Sequence, residues 1–287
     1  MACFSAVIAL CCLFRNNVIY AIIVFCIICA LIYRKKAKRI LLSLGCGILI
    51  YLLVNTCLIY ATNANKGSMA EAFSVPMQQL ARLYNEKGET AFTPEETELL
   101  TTAISKDFLK NYNPFLADYI KNYTNFDMVK DRSEEYISLW FHKGISYPGV
   151  YIASFLDNTY QAWYPGTSVD TDPWKNDYTD YYDVKGWPAI TIRPLIPFVY
   201  TICREIGRGF TYQKIPVVRL LFSVGFMFWI MLYTLLYGLI RKEQGTVLAQ
   251  VLILLFCFTM FLGPVSLVRY YLVLFYGFPV CAAVVTK

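Results

Sequence analysis

The sequence predicts a mostly α, multi-pass helical membrane protein with a largely helical extracytoplasmic domain, and three observations lead there. First, 57% of the 287 residues are hydrophobic and only 16% are charged, against about 25% charged in ordinary soluble domains. Second, the acids cluster: outside the stretch from Ala61 to Ile215, Glu243 is the one acidic residue. Third, apart from Glu243 the charged residues that border the apolar stretches at both ends are Lys and Arg, the pattern that sets membrane orientation. The net charge of +6 therefore comes from loops beside apolar helices. It is not the clustered basic face of a nucleic-acid-binding domain, and no nucleic-acid partner is expected.

A spanning helix needs about 20 mostly apolar residues. The first stretch, Met1 to Phe14, is short for that, and it has neither the basic start nor the cleavage site of a signal peptide. It reads as a helix whose beginning lies upstream. A second stretch runs from Val18 to Tyr33 and a third from Ile40 to Ala61, with the basic turn Arg34 to Arg39 between them. The fourth starts at Pro216, a suitable first-turn residue, and reaches Ile240, before Arg241-Lys242. The fifth covers Thr246 to Leu262, and the sixth Val265 to Val285, after the Gly263-Pro264 break. Residues 1–61 thus hold three spans, 62–214 an outer domain and 215–287 three more spans. With both basic loops in the cytoplasm, the Arg15-Asn16-Asn17 turn, the 62–214 segment and the Gly263-Pro264 turn all face outward at a plasma membrane.

The outer segment reads as helices. Ser74 is a candidate cap with Pro76 in the first turn. Thr93-Pro94-Glu95-Glu96 is a strong helix start, with a cap, a proline and acids at the positive dipole end. That helix places Leu99, Leu100 and Ile104 on one face. Asn113-Pro114 marks a turn. Ser133-Glu134-Glu135 opens a helix carrying Ile137, Leu139, Trp140 and Phe141, Pro148 interrupts it, and Tyr151 to Trp163 continues as a second piece. Asp170 to Trp187 reads as a polar loop. The stretch 187–210 is apolar but broken by Pro188, Pro194 and Pro197, which suits an interfacial or re-entrant segment. Strand signal is weak throughout.

Cysteine usage points away from a disulfide framework, because no Cys lies between Cys57 and Cys203. The single histidine, His142, has no Cys or second His nearby for zinc. The aspartates Asp170, Asp172, Asp177, Asp180 and Asp183 could hold a divalent cation through oxygen ligands, but their spacing matches no EF-hand and a hydrated loop is the plainer reading. There is no P-loop, dinucleotide fingerprint, Gly-x-Ser-x-Gly or zinc-protease motif.

Three arginines lie on the side that the positive-inside rule leaves poor in cations. Arg15 is at the first outer turn, Arg219 one turn inside the fourth stretch, and Arg269 about 8 Å past Pro264 at 1.5 Å per residue. An arginine in a bilayer costs about 2.5–3.5 kcal/mol on insertion scales, so it tends to have a partner or a task. The guanidinium fork matches phosphate oxygens, which makes a lipid phosphate one candidate task. Separate snorkelling to the interface is the other reading. Asp157, within an apolar-aromatic helix, is a candidate general base or a solvated helix face. Tyr160, Trp163 and Tyr164 could stack on sugar rings or belong to an interfacial belt.

Several stretches taken together carry a resemblance: Phe14-Arg15-Asn16-Asn17, Phe73-Ser74-Val75-Pro76-Met77-Gln78-Gln79-Leu80-Ala81-Arg82, Tyr112-Asn113-Pro114, Asn158-Thr159-Tyr160 with Trp163-Tyr164-Pro165, and Gly263-Pro264-Val265-Ser266-Leu267-Val268-Arg269-Tyr270. The chain resembles the C-terminal half of a family of bacterial multi-pass membrane proteins similar to GT-C glycosyltransferases, which use polyprenyl-phosphate sugar donors at the outer membrane face. The resemblance implies Arg15, Arg219 and Arg269 as donor-phosphate ligands. It implies Tyr160, Trp163 and Tyr164 as an acceptor platform for a glycan or glycolipid, and leaves room for a divalent cation but no other cofactor. The family's catalytic acid sits in the first outer loop, and this sequence has no acid before Glu71, so a chain lacking its N-terminal helices and its catalytic acid is expected. A transporter or lipid-glycan flippase, and a non-catalytic membrane scaffold, stand as alternatives from other functional classes.

Overall fold

The computed structural model describes residues 1–64, 69–166, 194–207, 214–263 and 266–285, and among them the regular structure is helical, without a strand. The fold is mostly α. The chain divides into two compact units, Met1–Tyr160 with Val247–Val265, and Gln161–Thr246 with Ser266–Lys287.

The first unit opens with three apolar helices, α1 (Ala2–Phe14), α2 (Val18–Ile32) and α3 (Ala37–Thr62). The basic turn between α2 and α3 is a 3-10 turn over Arg34–Lys36 that runs directly into α3. Asn63 ends α3 with φ of 50°, the left-handed conformation that Asn tolerates better than other residues with a side chain. Gly47 permits α1 to lie against α3: a Cβ there would come within 2.7 Å of Ile8 Cγ2 and 2.9 Å of the Ser5 carbonyl oxygen. Ser5 Oγ donates to Ser43 O at 3.0 Å in the same seam. Ile8, Cys12, Ile22, Cys26, Leu44 and Tyr51 fill it.

The polar helices of the unit are α4 (Met69–Lys87), α5 (Pro94–Ala103), α6 (Lys106–Lys110), α7 (Ala117–Tyr123), α8 (Phe126–Asp131), α9 (Ser133–Ser146) and α10 (Pro148–Trp163), the last three residues of which fall in the second unit. Their core is built on Met77, Leu80, Leu100, Ile104, Leu109, Ile120 and Val129, each 0–1% exposed. Thr93 caps α5 as its sequence implies, in a reciprocal box: Thr93 N–H donates to Glu96 Oε2 at 2.7 Å and Glu96 N–H to Thr93 Oγ1 at 3.2 Å. Leu99, Leu100 and Ile104 are all buried. Tyr147 breaks α9 from α10, and Pro148 starts the second piece. Ser74 is not a cap. It lies inside α4, which begins at Met69, and its hydroxyl turns back to Glu71 O at 2.8 Å. Pro76 consequently sits inside the helix rather than in its first turn.

From Val247 onward, α14 (Gln244–Phe261) also belongs to this unit, and it agrees with the fifth stretch. The second unit contains α11 (Pro197–Gly207), α12 (Pro216–Leu221), α13 (Val224–Ile240), α15 (Leu272–Tyr276) and α16 (Phe278–Val285). Two sequence expectations are corrected here. The stretch Pro216 to Ile240 is two helices, because Ser223 takes extended backbone and its hydroxyl accepts from Phe226 N–H at 3.3 Å, capping a new start. The stretch after Gly263-Pro264 is a 3-10 turn over Val268–Tyr270 followed by two short helices. Gly277 separates them, and Pro279, in the first turn of the last helix, has no N–H to continue the previous one.

Two helical segments are long and apolar enough to cross a membrane, Arg34–Thr62 and Gln244–Phe261, with only 22% and 28% of their most apolar windows buried. On the first of them most apolar side chains are exposed, the reverse of a soluble helix, whereas on Gln244–Phe261 most are partly buried and Phe258 is the exposed large one.

Candidate functional site

The motif stretches that stand far apart in sequence meet along one seam of the first unit, between α4, the Tyr112-Asn113-Pro114 turn and α10. Helix α4 presents Gln78, Gln79 and Arg82 there. Gln78 Nε2 donates to Asn113 O at 2.8 Å, fixing the turn to α4. Gln79 bridges two helices: its Oε1 accepts from Trp140 Nε1 at 2.7 Å and its Nε2 donates to Tyr151 O at 3.2 Å. Tyr151 returns a hydrogen bond to Trp140 O at 2.9 Å. Phe115, after the turn, packs on Tyr160 with ring centroids 4.9 Å apart.

Arg82 is the centre of charge. Its Nη1 lies 2.5 Å from Asp157 Oδ2 and its Nε 2.7 Å from Glu86 Oε1. The Arg82 side chain is 15% exposed while both carboxylates are 38% exposed, so the cation is the buried partner and the acids form its wet rim. Burial by itself lowers the Arg82 pKa. The hydrogen bonds to Asp157 and Glu86 outweigh it and leave the guanidinium held above its ordinary value. Tyr112 lies next to it, and burial pushes its hydroxyl pKa up against the opposing pull of Ser154 and Arg82. By strict geometry the Tyr112 hydroxyl closes no hydrogen bond among the described residues. Ser154 Oγ, Asn158 Oδ1 and Gln78 Oε1 are likewise buried without such a bond. Asn158 uses its other amide atom: Nδ2 donates to Gly263 O at 3.1 Å, at the end of α14. Phe155 and Phe261 rings meet at the same level, 6.5 Å apart.

Asp157 thus has a definite occupation. Its carboxylate ties α10 to α4 through Arg82 and stays 38% exposed. Sequence reasoning placed Arg82, Gln78, Gln79 and Tyr112 in motif stretches but gave none of them a role. The available signal was a run of long polar side chains inside the apolar period of α4.

The three candidate phosphate ligands lie at or beside breaks between the longer helices. Arg15 is half-buried in the turn between α1 and α2, its guanidinium 5.8 Å from the Phe256 ring centroid on α14, and its neighbour Asn16 accepts from Tyr51 Oη at 3.2 Å. Arg219 is half-buried in the last turn of α12, just before the Ser223 break, and so precedes α13 rather than lying within a continuous span. Arg269 is exposed in the 3-10 turn, over the Tyr270 ring at 5.2 Å. Arg15 belongs to the first unit and the other two to the second.

The aromatic trio divides as well. Tyr160 is half-buried against Phe115, whereas Trp163 and Tyr164 belong to the second unit. There Trp229 Nε1 donates to Trp163 O at 2.7 Å and Ser223 Oγ to Pro165 O at 3.1 Å. Gly225 lets this backbone close on α13, since a Cβ would fall 2.5 Å from the Tyr164 carbonyl carbon. Of the three, Tyr164 is exposed.

Among the described residues no three His, Cys, Asp or Glu side chains are placed to hold a metal ion. The five aspartates from Asp170 to Asp183, and the 187–193 and 208–210 parts of the proline-broken stretch, lie outside those residues. His142 is exposed, its Nδ1 3.2 Å from Ser138 Oγ. Two shallow clefts open beside α5: one of about 470 Å³ toward α6, lined by Glu89, Glu98 and Lys106, and one of about 340 Å³ toward α9, lined by Glu96, Glu135 and His142.

No curated protein and no solved structure matches the chain. Residues 1–286 match DUF6020, a family of unknown function, and the chain belongs to that family.

Proposed function

We propose that this chain is an integral membrane protein contributing the donor-phosphate site of a glycosyltransferase, which takes a hexose from a polyprenyl-phosphate carrier at the outer face and passes it to a cell-surface glycan or glycolipid. Helices α3 and α14 cross the bilayer, with Arg34 to Arg39 and Arg241-Lys242 in the cytoplasm and the polar helices outside. The Asn158–Gly263 hydrogen bond supports that orientation, since it keeps α10 and the outward end of α14 on one side.

The depth of Arg15 carries the reading. Its turn meets α3 at Tyr51, eleven residues or roughly 16 Å before Thr62 at 1.5 Å per residue, and meets α14 at Phe256, five residues or roughly 8 Å before Phe261. The guanidinium therefore stops short of the outer ends of both crossing helices. Irregular backbone at that depth is tolerated where it is covered by protein or lines a polar cavity, and an arginine there is by default a functional candidate. A lipid phosphate at the headgroup boundary is the anion within its reach. In the transfer, the acceptor hydroxyl attacks the anomeric carbon, the carbon–oxygen bond to phosphate breaks, and negative charge grows on the departing lipid phosphate. A guanidinium there stabilises that charge more than it stabilises the ground state.

The test is binding of a polyprenyl-phosphate sugar to the full chain purified in detergent. Saturable binding, weakened at least tenfold in the Arg15→Ala, Arg219→Ala, Arg269→Ala triple variant, is expected. Folded protein that binds nothing, or a triple variant that binds equally well, overturns the assignment.

A further inference from the structure

The polar helices of the first unit bury their own apolar residues well, with one concentrated exception. Ile137, Phe141 and Ile145 are 51%, 58% and 66% exposed, and Ile152 and Leu156 are 59% and 43% exposed. The first three recur every four residues on α9 and the other two every four residues on α10, so each helix shows a single stripe. The stripes follow one another across the Tyr147-Pro148 break. Elsewhere between Ala70 and Tyr160 only Phe115 and Tyr123 among the large apolar side chains reach the surface, and both pack on other rings, Phe115 on Tyr160 and Tyr123 on Phe108. The stripe is not a frayed core, because Tyr136, Leu139 and Tyr151 on the opposite faces of the same helices are buried.

We infer that this ridge of α9 and α10 lies on the outer leaflet of the bilayer, with its side chains among the headgroups and upper acyl chains. The inference rests on the membrane reading proposed above. What selects lipid over another occupant is the place where the ridge ends. Phe155 and Asn158, on the same helix as Ile152 and Leu156, are fixed to Phe261 and Gly263 at the end of α14. Leu156 falls between those two anchors, and Ile152 is within about 5 Å of Phe155 along the helix axis. If the end of α14 marks the membrane boundary, Leu156 is at that boundary and the rest of the stripe extends from it. The flank of the α9 stripe is polar but not basic, with Glu134, Ser138, His142 and Ser146 exposed beside it. Attachment is thus by apolar insertion, without the Lys/Arg face that draws amphipathic helices to anionic lipid. A zwitterionic leaflet is sufficient. The consequence for function is positional: the Arg82–Asp157 seam and the ridge share α10, so the seam is held at a fixed height above the headgroups.

The experiment places a diazirine-bearing amino acid singly at positions 141, 145 and 152 of the full chain, in phosphatidylcholine nanodiscs, and reads photo-adducts by mass spectrometry. Position 258 on α14, where Phe258 is 46% exposed, reports lipid contact of the crossing helix itself, and position 102 on exposed α5 surface reports background. Lipid adducts at 141, 145 and 152 that match position 258 and exceed position 102 at least fivefold are expected. Lipid adducts at 258 with none at the ridge overturn the inference and leave the membrane reading standing. Cross-linked dimers at the ridge overturn it in favour of a second copy of the chain. No lipid adduct at 258 overturns both.

Discussion

In the polar helices α4 to α10, Arg82, Lys106, Lys121, Arg132 and Lys143 each lie 2.5–2.8 Å from a carboxylate oxygen. In the apolar helices of the same unit, α1 to α3 and α14, the sequence offers no acid at all, and Arg15 rests over an aromatic ring instead. The same division holds for the means of packing. The polar helices enclose a core of large side chains and add charged ties at its rim. Among the apolar helices, α3 leaves most of its large side chains outward, and it meets α1 through small residues and a hydroxyl, Gly47, Ser5 and Ser43. Where both the surroundings and the contact are apolar, hydrophobicity gives helices little reason to associate, and close fit must supply it. Shape should therefore be the weak point of the apolar helices and polar pairing that of the polar ones.

Gly47→Leu attacks the shape. The first added carbon already falls 2.9 Å from the Ser5 carbonyl oxygen, a backbone atom that no rotamer change can move, so α1 must leave α3. The cost should reach or exceed the about 1–3 kcal/mol of ordinary overpacking, seen as a large fall in thermal midpoint of the detergent-purified chain. Gly45→Ala sharpens the comparison. Nothing lies within 4 Å of its Cβ, and in a helix interior alanine is favoured over glycine by about 1 kcal/mol, so its midpoint should hold or rise. Equal behaviour of the two variants would mean that close approach at Gly47 does not hold these helices.

Arg82→Ala attacks the pairing. It removes a mostly buried cation from two carboxylates and leaves Asp157 without its tie to α4. Because both carboxylates are more than a third exposed, solvent screens the interaction, and the loss should be about 1–2 kcal/mol rather than the larger cost of a fully buried pair. Asp157→Asn keeps the shape and should cost less, about 0.5–1 kcal/mol. A double-mutant cycle reads the coupling directly, and a coupling near zero would show that the seam is held by Gln78 and Gln79 instead.

The legibility of the two regions follows the same division. Helix class, the Thr93 cap, the α9–α10 break at Pro148 and the extents of α2, α3 and α14 were readable, because each depends on local chemistry: periodicity, a capping side chain, a proline or an unbroken apolar run. The break at Ser223 was hidden because a lone serine inside an apolar run is as compatible with a continuous helix as with a cap, and its backbone is decided by packing against Pro165. The short helices α6 to α8 were missed for a related reason. Five to seven residues give too few turns for a period to show. The seam itself was legible only as scattered motifs. Arg82 and Asp157 are 75 residues apart, and nothing local to either names the other.

The smallest effect tests whether a local signal can also be a long-range one. Thr93→Ala removes the α5 cap and should cost about 1 kcal/mol, with Thr93→Ser restoring most of it because the hydroxyl suffices. Glu96 completes that box, yet its Oε2 also lies 2.5 Å from Lys143 Nζ on α9, and Lys143 in turn sits 5.2 Å from the centroid of the Phe92 ring. If Glu96 served only the cap, Glu96→Ala would cost no more than Thr93→Ala. Its second partner, with a lysine side chain only 12% exposed, leads us to expect a loss larger by about 0.5–1 kcal/mol. Replacing Lys143 with Met, which keeps much of the apolar stem over Phe92, should erase that excess while leaving the Thr93→Ala cost unchanged. An excess that survives Lys143→Met would show that the Lys143 tie is not its source, and that Glu96 is not a shared carboxylate joining α5 to α9.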